Sequence, residues 1–346
     1  MITEAIKTLV DGRDLTSEAA HAAMMQVMAG EAGPAQISAF AVALRMKGET
    51  PDEIAGCARA MRAHATPATP SREGLVDTCG TGGDGSDTFN ISTSAALVAA
   101  AAGVPIAKHG NRAMSSRCGS ADVLEALGVR IDLPPADIAD CIDEVGFGFM
   151  FAQAHHPAMR HVAPVRRELG IRTVFNLLGP LTNPAGARRQ VMGVYDAALV
   201  APIAQVLVRL GADHALVVHG AGGLDELTPV GENLVAEVRD GEVREYTVDP
   251  RDLSTGAVPA SPDDLRVGGD PAQNASIIRT VFDGERGPRR DAVVLNAGAA
   301  LLVAGSVPDL EAGIDRAVEA IDSGAATATL DRLVEFTQRR APAAAP

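Results

Sequence analysis

Tryptophan is absent from this 346-residue chain and tyrosine occurs only twice, so the aromatic platforms on which nucleobases stack are nearly missing. An excess of basic charge is missing as well. Thirty Lys and Arg face 44 Asp and Glu, a net charge of −14, which argues against nonspecific nucleic-acid binding. A small anionic substrate stays possible, because a local cluster of cations can oppose the global field. Cysteine is scarce and scattered: Cys57, Cys79, Cys118 and Cys141 form no Cys-x-x-Cys pair. That favours reduced thiols in a cytoplasmic protein over a disulfide framework or a zinc site. No apolar run approaches the roughly 20 residues of a membrane span. The N-terminus carries no basic stretch followed by an apolar one, so no secretion signal is expected. What remains, 47% hydrophobic and 21% charged, is the composition of a soluble globular protein with ample core.

The chain up to about residue 65 reads as helices. Thr16 or Ser17 can cap one helix, and Thr50, Pro51 and Glu53 make a capping box with proline at the first helical position. A Pro-rich polar segment, residues 66–72, reads as a hinge. From Leu75 short apolar runs alternate with helical stretches, the signature of a mostly parallel sheet. Strands are expected at 75–77, 106–109, 148–151, 191–194, 215–219 and 292–295, and helices at 95–102, 120–127, 136–145 and 198–210. A helical patch near 155–180 interrupts the alternation, and residues 233–248 read as a hairpin around Asp240-Gly241. The expected class is α/β: a small all-helical lobe, 1–68, joined by that patch, and a larger lobe, 72–340, with a mostly parallel sheet. The active site is expected in the cleft between the lobes.

The densest chemistry lies at Asp77–Thr93, where Gly80, Gly82, Gly83 and Gly85 accompany Asp84, Asp87 and the hydroxyls of Thr81, Ser86, Thr88, Ser92 and Thr93. A strand, a glycine turn and a helix N-terminus make a phosphate cradle. Two aspartates beside a phosphate call for a metal ion between them. The run also fits Gly-x-Gly-x-x-Gly, but polar residues separate Gly85 from the helix and the next strand ends in Lys108-His109, not an acidic residue. A second loop, 108–120, brings Lys108, Arg112 and Arg117 with an amide and serines, suited to phosphate oxygens. Adjacent parallel strands place it at the same sheet edge as the glycine loop. A third glycine turn carries Asp225-Glu226, a pair suited to Mg²⁺, which binds one or two carboxylates plus substrate phosphates. In the helical patch, Arg166 or Arg167 is placed to reach a substrate carboxylate across the cleft, while His155, His156 and His161 lack a zinc spacing and read as structural.

Taken in order, the Gly-Thr-Gly-Gly-Asp core, Lys108-His-Gly-Asn-Arg, Arg166 in Pro-Val-Arg-Arg-Glu-Leu, Phe175-Asn-Leu-Leu-Gly-Pro-Leu-Thr-Asn-Pro and Leu224-Asp-Glu resemble the anthranilate phosphoribosyltransferases. The resemblance implies a Mg²⁺-dependent pentosyltransferase of tryptophan biosynthesis, a cytoplasmic homodimer without nucleic-acid or membrane partners. It would join anthranilate to the ribose of phosphoribosyl pyrophosphate and release pyrophosphate. The residues implied for phosphoribosyl pyrophosphate are Gly80, Gly83, Asp84, Thr88, Asn90, Ile91, Ser92, Thr93, Lys108, His109, Gly110, Asn111, Arg112, Ala113, Met114, Ser115, Ser116 and Ser120. Those implied for anthranilate are Gly80, Asn111 and Arg166, and those for Mg²⁺ are Ser92, Asp225 and Glu226. His109, read as the nearby side chain that titrates near neutrality, is a candidate to take the amine's proton late. A pyrimidine nucleoside phosphorylase-like enzyme and a noncatalytic nucleic-acid-binding relative are the competing readings. The Asp225-Glu226 pair counts against the first and the negative charge against the second.

Overall fold

The computed structural model describes residues 1–113, 118–253, 260–267 and 269–340. The N-terminal region folds as helices Ile2–Val10, Ser17–Met28, Pro34–Lys47 and Pro51–Ala63. The capping box forms as the sequence demands: the Glu53 N–H donates to Thr50 Oγ1 at 3.3 Å and the Thr50 N–H donates back to Glu53 Oε2 at 2.8 Å. Glu53 is fully buried: its Oε1 accepts from the Leu15 N–H at 2.9 Å, while Lys47 Nζ pairs with the capping Oε2 at 3.1 Å. One carboxylate thus caps a helix and fastens the preceding loop to it.

Among the described residues the sheet has seven strands: β1 Val76–Asp77, β2 Ile106–Gly110, β3 Phe147–Phe151, β4 Arg189–Gly193, β5 His214–His219, β6 Asn233–Arg239 and β7 Glu242–Val248. Their order is β3-β2-β1-β4-β5-β6-β7, parallel from β3 to β5 and antiparallel beyond. The family of neighbours diverges at β1, which has β2 on one side and β4 on the other. That is a topological switch point, where open sheets leave a crevice at the carboxyl ends of the strands. The β6–β7 hairpin turns at Asp240 (φ 53°) and Gly241 (φ 80°), the left-handed pair that a two-residue turn requires.

The expected strand at 292–295 is corrected: those residues lie inside the helix Pro288–Val303. From Ala292 to Val303 every side is buried, so the run shows no face by which periodicity could separate helix from strand. Side chains alternate across the sheet, as period-2 geometry dictates. Leu216 and Val218 join a core under helices Ile91–Ala101, Pro288–Val303 and Leu310–Asp322, whereas Ala215 and Val217 face the core shared with the N-terminal helices. The patch near 155–180 breaks into Ala152–His155, a 3₁₀ turn Pro157–His161, Ala163–Leu169 and Phe175–Leu178. Its Val162, Val165, Phe175 and Leu178 pack in that second core with Met24, Phe40 and Met61. The segment expected to hinge is bonded down, with the Thr66 N–H on His155 O at 2.8 Å and the Ala68 N–H on Pro184 O at 3.2 Å.

Two helices cross glycine on glycine. A Cβ on Gly313 would stand 2.5 Å from Gly298 O, and one on Gly298 would stand 2.8 Å from the Ile314 N. In a free helix Gly→Ala stabilises by about 1 kcal/mol. Here the crossing reverses the sign: Gly298→Ala and Gly313→Ala are each expected to destabilise by about 1–3 kcal/mol in urea unfolding. A gain in stability would contradict the close approach.

Candidate active site

At the carboxyl edge, β1 runs straight into the glycine loop and β2 ends in Lys108-His109-Gly110. Asp77, the last residue of β1, is 1% exposed. Its Oδ1 accepts from the His109 N–H at 3.1 Å and its Oδ2 from Asn183 Nδ2 at 2.7 Å. Burial raises its pKa to about 6, against the pull of Lys108 and these bonds. Lys108 is equally buried, and its Nζ donates to Thr78 O at 3.1 Å and Thr78 Oγ1 at 2.9 Å, beside the cradle. The loop itself is shaped by glycines in the left-handed region at Gly82 and Gly83, φ 63° and 80°.

The third turn folds onto this loop. Asp225 Oδ2 accepts from the Gly82 N–H at 2.6 Å, and Glu226 Oε1 accepts from the Ser92 N–H at 3.2 Å at the start of the helix Ile91–Ala101. Close approach is possible only because β4 ends in glycine: a Cβ on Gly193 would lie 1.5 Å from Asp225 O. Both carboxylates are pushed up, Asp225 to about 7 by burial and the neighbouring Asp84, Glu226 to about 8 by burial and Asp225. A small cavity sits between these elements, with Thr78, Ser92, Glu226 and Asn296 among its polar lining and Ala95 and Val191 among its apolar lining.

The remaining sequence-implied residues divide. Asn90 Nδ2 donates to Cys118 O at 3.2 Å, tying the glycine loop to the basic loop. Thr88 forms an isolated bridge with Arg266, and Ile91 and Thr93 are buried at the helix start. Ser120 Oγ donates to Asn111 O at 3.3 Å. Arg112 is turned to Glu125 at 2.5 Å and Asp122 at 3.0 Å. Met114, Ser115 and Ser116 lie outside the described residues. Arg167 is exposed, whereas Arg166 is half-buried, with its pKa lowered by that burial and no side-chain partner among the described residues.

Two family models match the chain in succession: a glycosyl transferase helical bundle domain over residues 3–65 and a glycosyl transferase a/b domain over residues 72–327. The anthranilate phosphoribosyltransferase of Symbiobacterium thermophilum is 55% identical over 334 residues, covering 96% of this chain and 97% of the relative. That of Roseiflexus castenholzii is 57% identical over 335 residues, covering 96% and 97%. The chain belongs to the anthranilate phosphoribosyltransferase family. Among solved structures, the Thermus thermophilus anthranilate phosphoribosyltransferase superposes with a TM-score of 0.91 at 51% identity, covering 96% of this chain and 99% of that one. The Saccharomyces cerevisiae enzyme in complex with PRPP and Mg superposes with a TM-score of 0.88 at 27% identity, covering 98% of each chain.

Within this anthranilate phosphoribosyltransferase fold, one sequence expectation is corrected. His109 does not titrate near neutrality: burial, helped by His156, drops its pKa to about 3. Its ring donates from Nδ1 to Gly179 O at 3.0 Å, which leaves Nε2 a buried lone pair with no partner, on a neutral imidazole too weak to serve as a base. His156, its ring centroid 5.0 Å away, donates to the Thr182 backbone and is lowered to about 4 by burial and by His155. Residues that the sequence did not single out also shape the edge: Asp77 and Asn183 as the lock, Gly193 as the clearance, and Arg172 and Tyr195 beside Gly83. The Pro-Leu-Thr-Asn-Pro turn was the available signal for Asn183.

The buried histidines set an acid limit. Between about 4 and the ordinary value of 6.5, the unfolded chain binds a proton at His156 that the fold refuses, so stability falls as pH falls through this window. His156→Asn keeps an amide donor for Thr182 and is expected to flatten that fall by about 1.4 kcal/mol per pH unit. Urea unfolding at several pH values measures it, and an unchanged slope would mean that His156 is already charged in the fold.

Proposed function

We infer that this chain transfers the phosphoribosyl group of phosphoribosyl pyrophosphate to the amine of anthranilate, releasing pyrophosphate, as a cytoplasmic homodimer in tryptophan biosynthesis. The observation that carries the reading is the convergence of Asp225 and Glu226 on the backbone of the glycine loop. Phosphate alone would be repelled by two half-buried carboxylates. A diphosphate accompanied by a divalent cation would not.

The donor set fits Mg²⁺. Asp225 and Glu226 are half-buried hard oxygen donors, Asp225 crowded by Asp84 and Glu226 by Asp225, with Ser92 adjacent. No larger group of His, Cys, Asp and Glu arranged for a metal occurs among the described residues. None is needed, because Mg²⁺ commonly takes one or two carboxylates and completes its shell with substrate phosphates and water. Bound there, Mg²⁺ would neutralise charge growing on the departing diphosphate. The backbone N–H groups of the glycine loop, the helix N-terminus at Ile91 and the ammonium of Lys108 would stabilise the same charge without reorganising. Gly80, Gly83, Asp84, Thr88, Asn90 and Asn111 in the loops, and Thr93 and Ser120 in the first turns of the helices that follow, would hold the diphosphate and ribose.

Arg166, half-buried and lacking an anionic partner among the described residues, is suited to the anthranilate carboxylate. The aromatic amine is neutral at pH 7, so no strong general base is required, which agrees with the low basicity of His109. Positioning the amine against the anomeric carbon is then the main remaining task. A nucleoside phosphorylase reading, with inorganic phosphate as substrate, leaves the Asp225-Glu226 pair without a purpose.

Mixing the protein with anthranilate, phosphoribosyl pyrophosphate and Mg²⁺ is expected to quench anthranilate fluorescence; persistent signal with folded protein would sink the transferase reading. Asp225→Asn combined with Glu226→Gln is expected to lower the rate at limiting Mg²⁺ by about 100-fold or more. Thermal stability without metal is expected to hold, because like charges are removed. Unaltered metal dependence would count against the Mg²⁺ assignment.

A further inference from the structure

Arg172 lies in the loop that follows the helix Ala163–Leu169, six residues beyond Arg166. Its Nη2 donates to the carbonyl of Gly83, and its guanidinium carbon stands 4.1 Å from the centre of the Tyr195 ring. It is exposed and meets no carboxylate among the described residues. Tyr195 holds the same loop as well: its N–H donates to Thr81 Oγ1 at 3.1 Å, while the Thr81 N–H donates to Gly193 O at 2.9 Å. Gly82 between them bonds Asp225.

These anchors matter because Gly82 and Gly83 both stand at positive φ, where a residue without Cβ changes backbone state at little cost. A loop of this kind can present either a carbonyl oxygen or an N–H to an anion. The peptide unit is planar and trans, so its C=O and N–H point in opposite directions. Holding Gly83 O on the Arg172 side therefore fixes the N–H of Asp84 on the opposite side. A flipped unit would turn an oxygen toward the diphosphate instead of a donor.

We propose that Arg172, stacked on Tyr195, is a positioning residue that fixes the Gly83–Asp84 peptide and so sets the donor array of the diphosphate loop. It also joins the segment carrying Arg166 to that loop, linking the two substrate positions through six residues of chain. The inference rests on the glycine loop being the diphosphate site.

The test measures amide hydrogen exchange at residues 82–84 in the ligand-free protein, alongside steady-state kinetics, for wild type, Arg172→Ala and Arg172→Lys. Exchange is expected to quicken in Arg172→Ala, with kcat/KM for phosphoribosyl pyrophosphate falling about tenfold, the scale of one charge-assisted hydrogen bond. The KM for anthranilate and the melting temperature are expected to stay near wild type. Arg172→Lys, which keeps a donor within reach of the carbonyl, is expected to recover most of both losses. Unchanged exchange in Arg172→Ala overturns the positioning role, including the case where activity falls through direct contact with phosphate. Faster exchange with an unaltered kcat/KM for phosphoribosyl pyrophosphate would instead remove the diphosphate role of the loop, and the proposal with it.

Discussion

A carboxylate buried at the centre of a sheet is costly unless its oxygens are bonded, and Asp77 is bonded at both. The strand that carries it is two residues long and pairs with β2 through a single register contact, Val76 with Ile106. Two registers tie it to β4 on the other side, and against β2 its carboxyl end is fixed by side chains. Asp77 holds the His109 N–H on β2, and Asn183 spans from Asp77 to Ala107 O at 2.8 Å while its Oδ1 receives the Ala185 N–H at 2.9 Å. Leaving one oxygen of such a buried carboxylate without its hydrogen bond typically costs about 1–3 kcal/mol or more. The glycine loop, the Lys108 strand and the Pro-Leu-Thr-Asn-Pro turn are placed relative to one another by this one lock.

The consequence is local electrostatics that run against the global charge. A chain with net charge −14 gathers Lys108 and Arg172 around one edge of its sheet, next to helix and loop N–H groups. The same edge receives Asp225 and Glu226 from across β4, admitted by the bare backbone of Gly193. Opposite charges along one edge suit the ligand proposed above, which carries both signs, a diphosphate with its cation. A core lies on either face of the sheet, and the second of them continues into the N-terminal helices and the helical patch.

Much of this was legible because the signals are local. Glycine turns after apolar runs, the Thr50–Glu53 capping box and the Asp240-Gly241 hairpin each declare themselves within a few residues. The helix Pro288–Val303 did not, because burial all round erases periodicity. Contacts between distant residues were equally hidden: Asp77 meets Asn183 across 106 positions and Gly83 meets Arg172 across 89. The basicity of His109 was hidden for another reason. It depends on desolvation and on a neighbouring histidine, neither of which a sequence displays.

The most direct test of the central claim is a crystal structure of the protein soaked with phosphoribosyl pyrophosphate and Mg²⁺. The account predicts diphosphate density on the Gly80–Gly85 backbone, with metal density between it and the Asp225-Glu226 edge. Ligand density confined to the opposite, amino edge of the sheet, with these loops vacant, would contradict it.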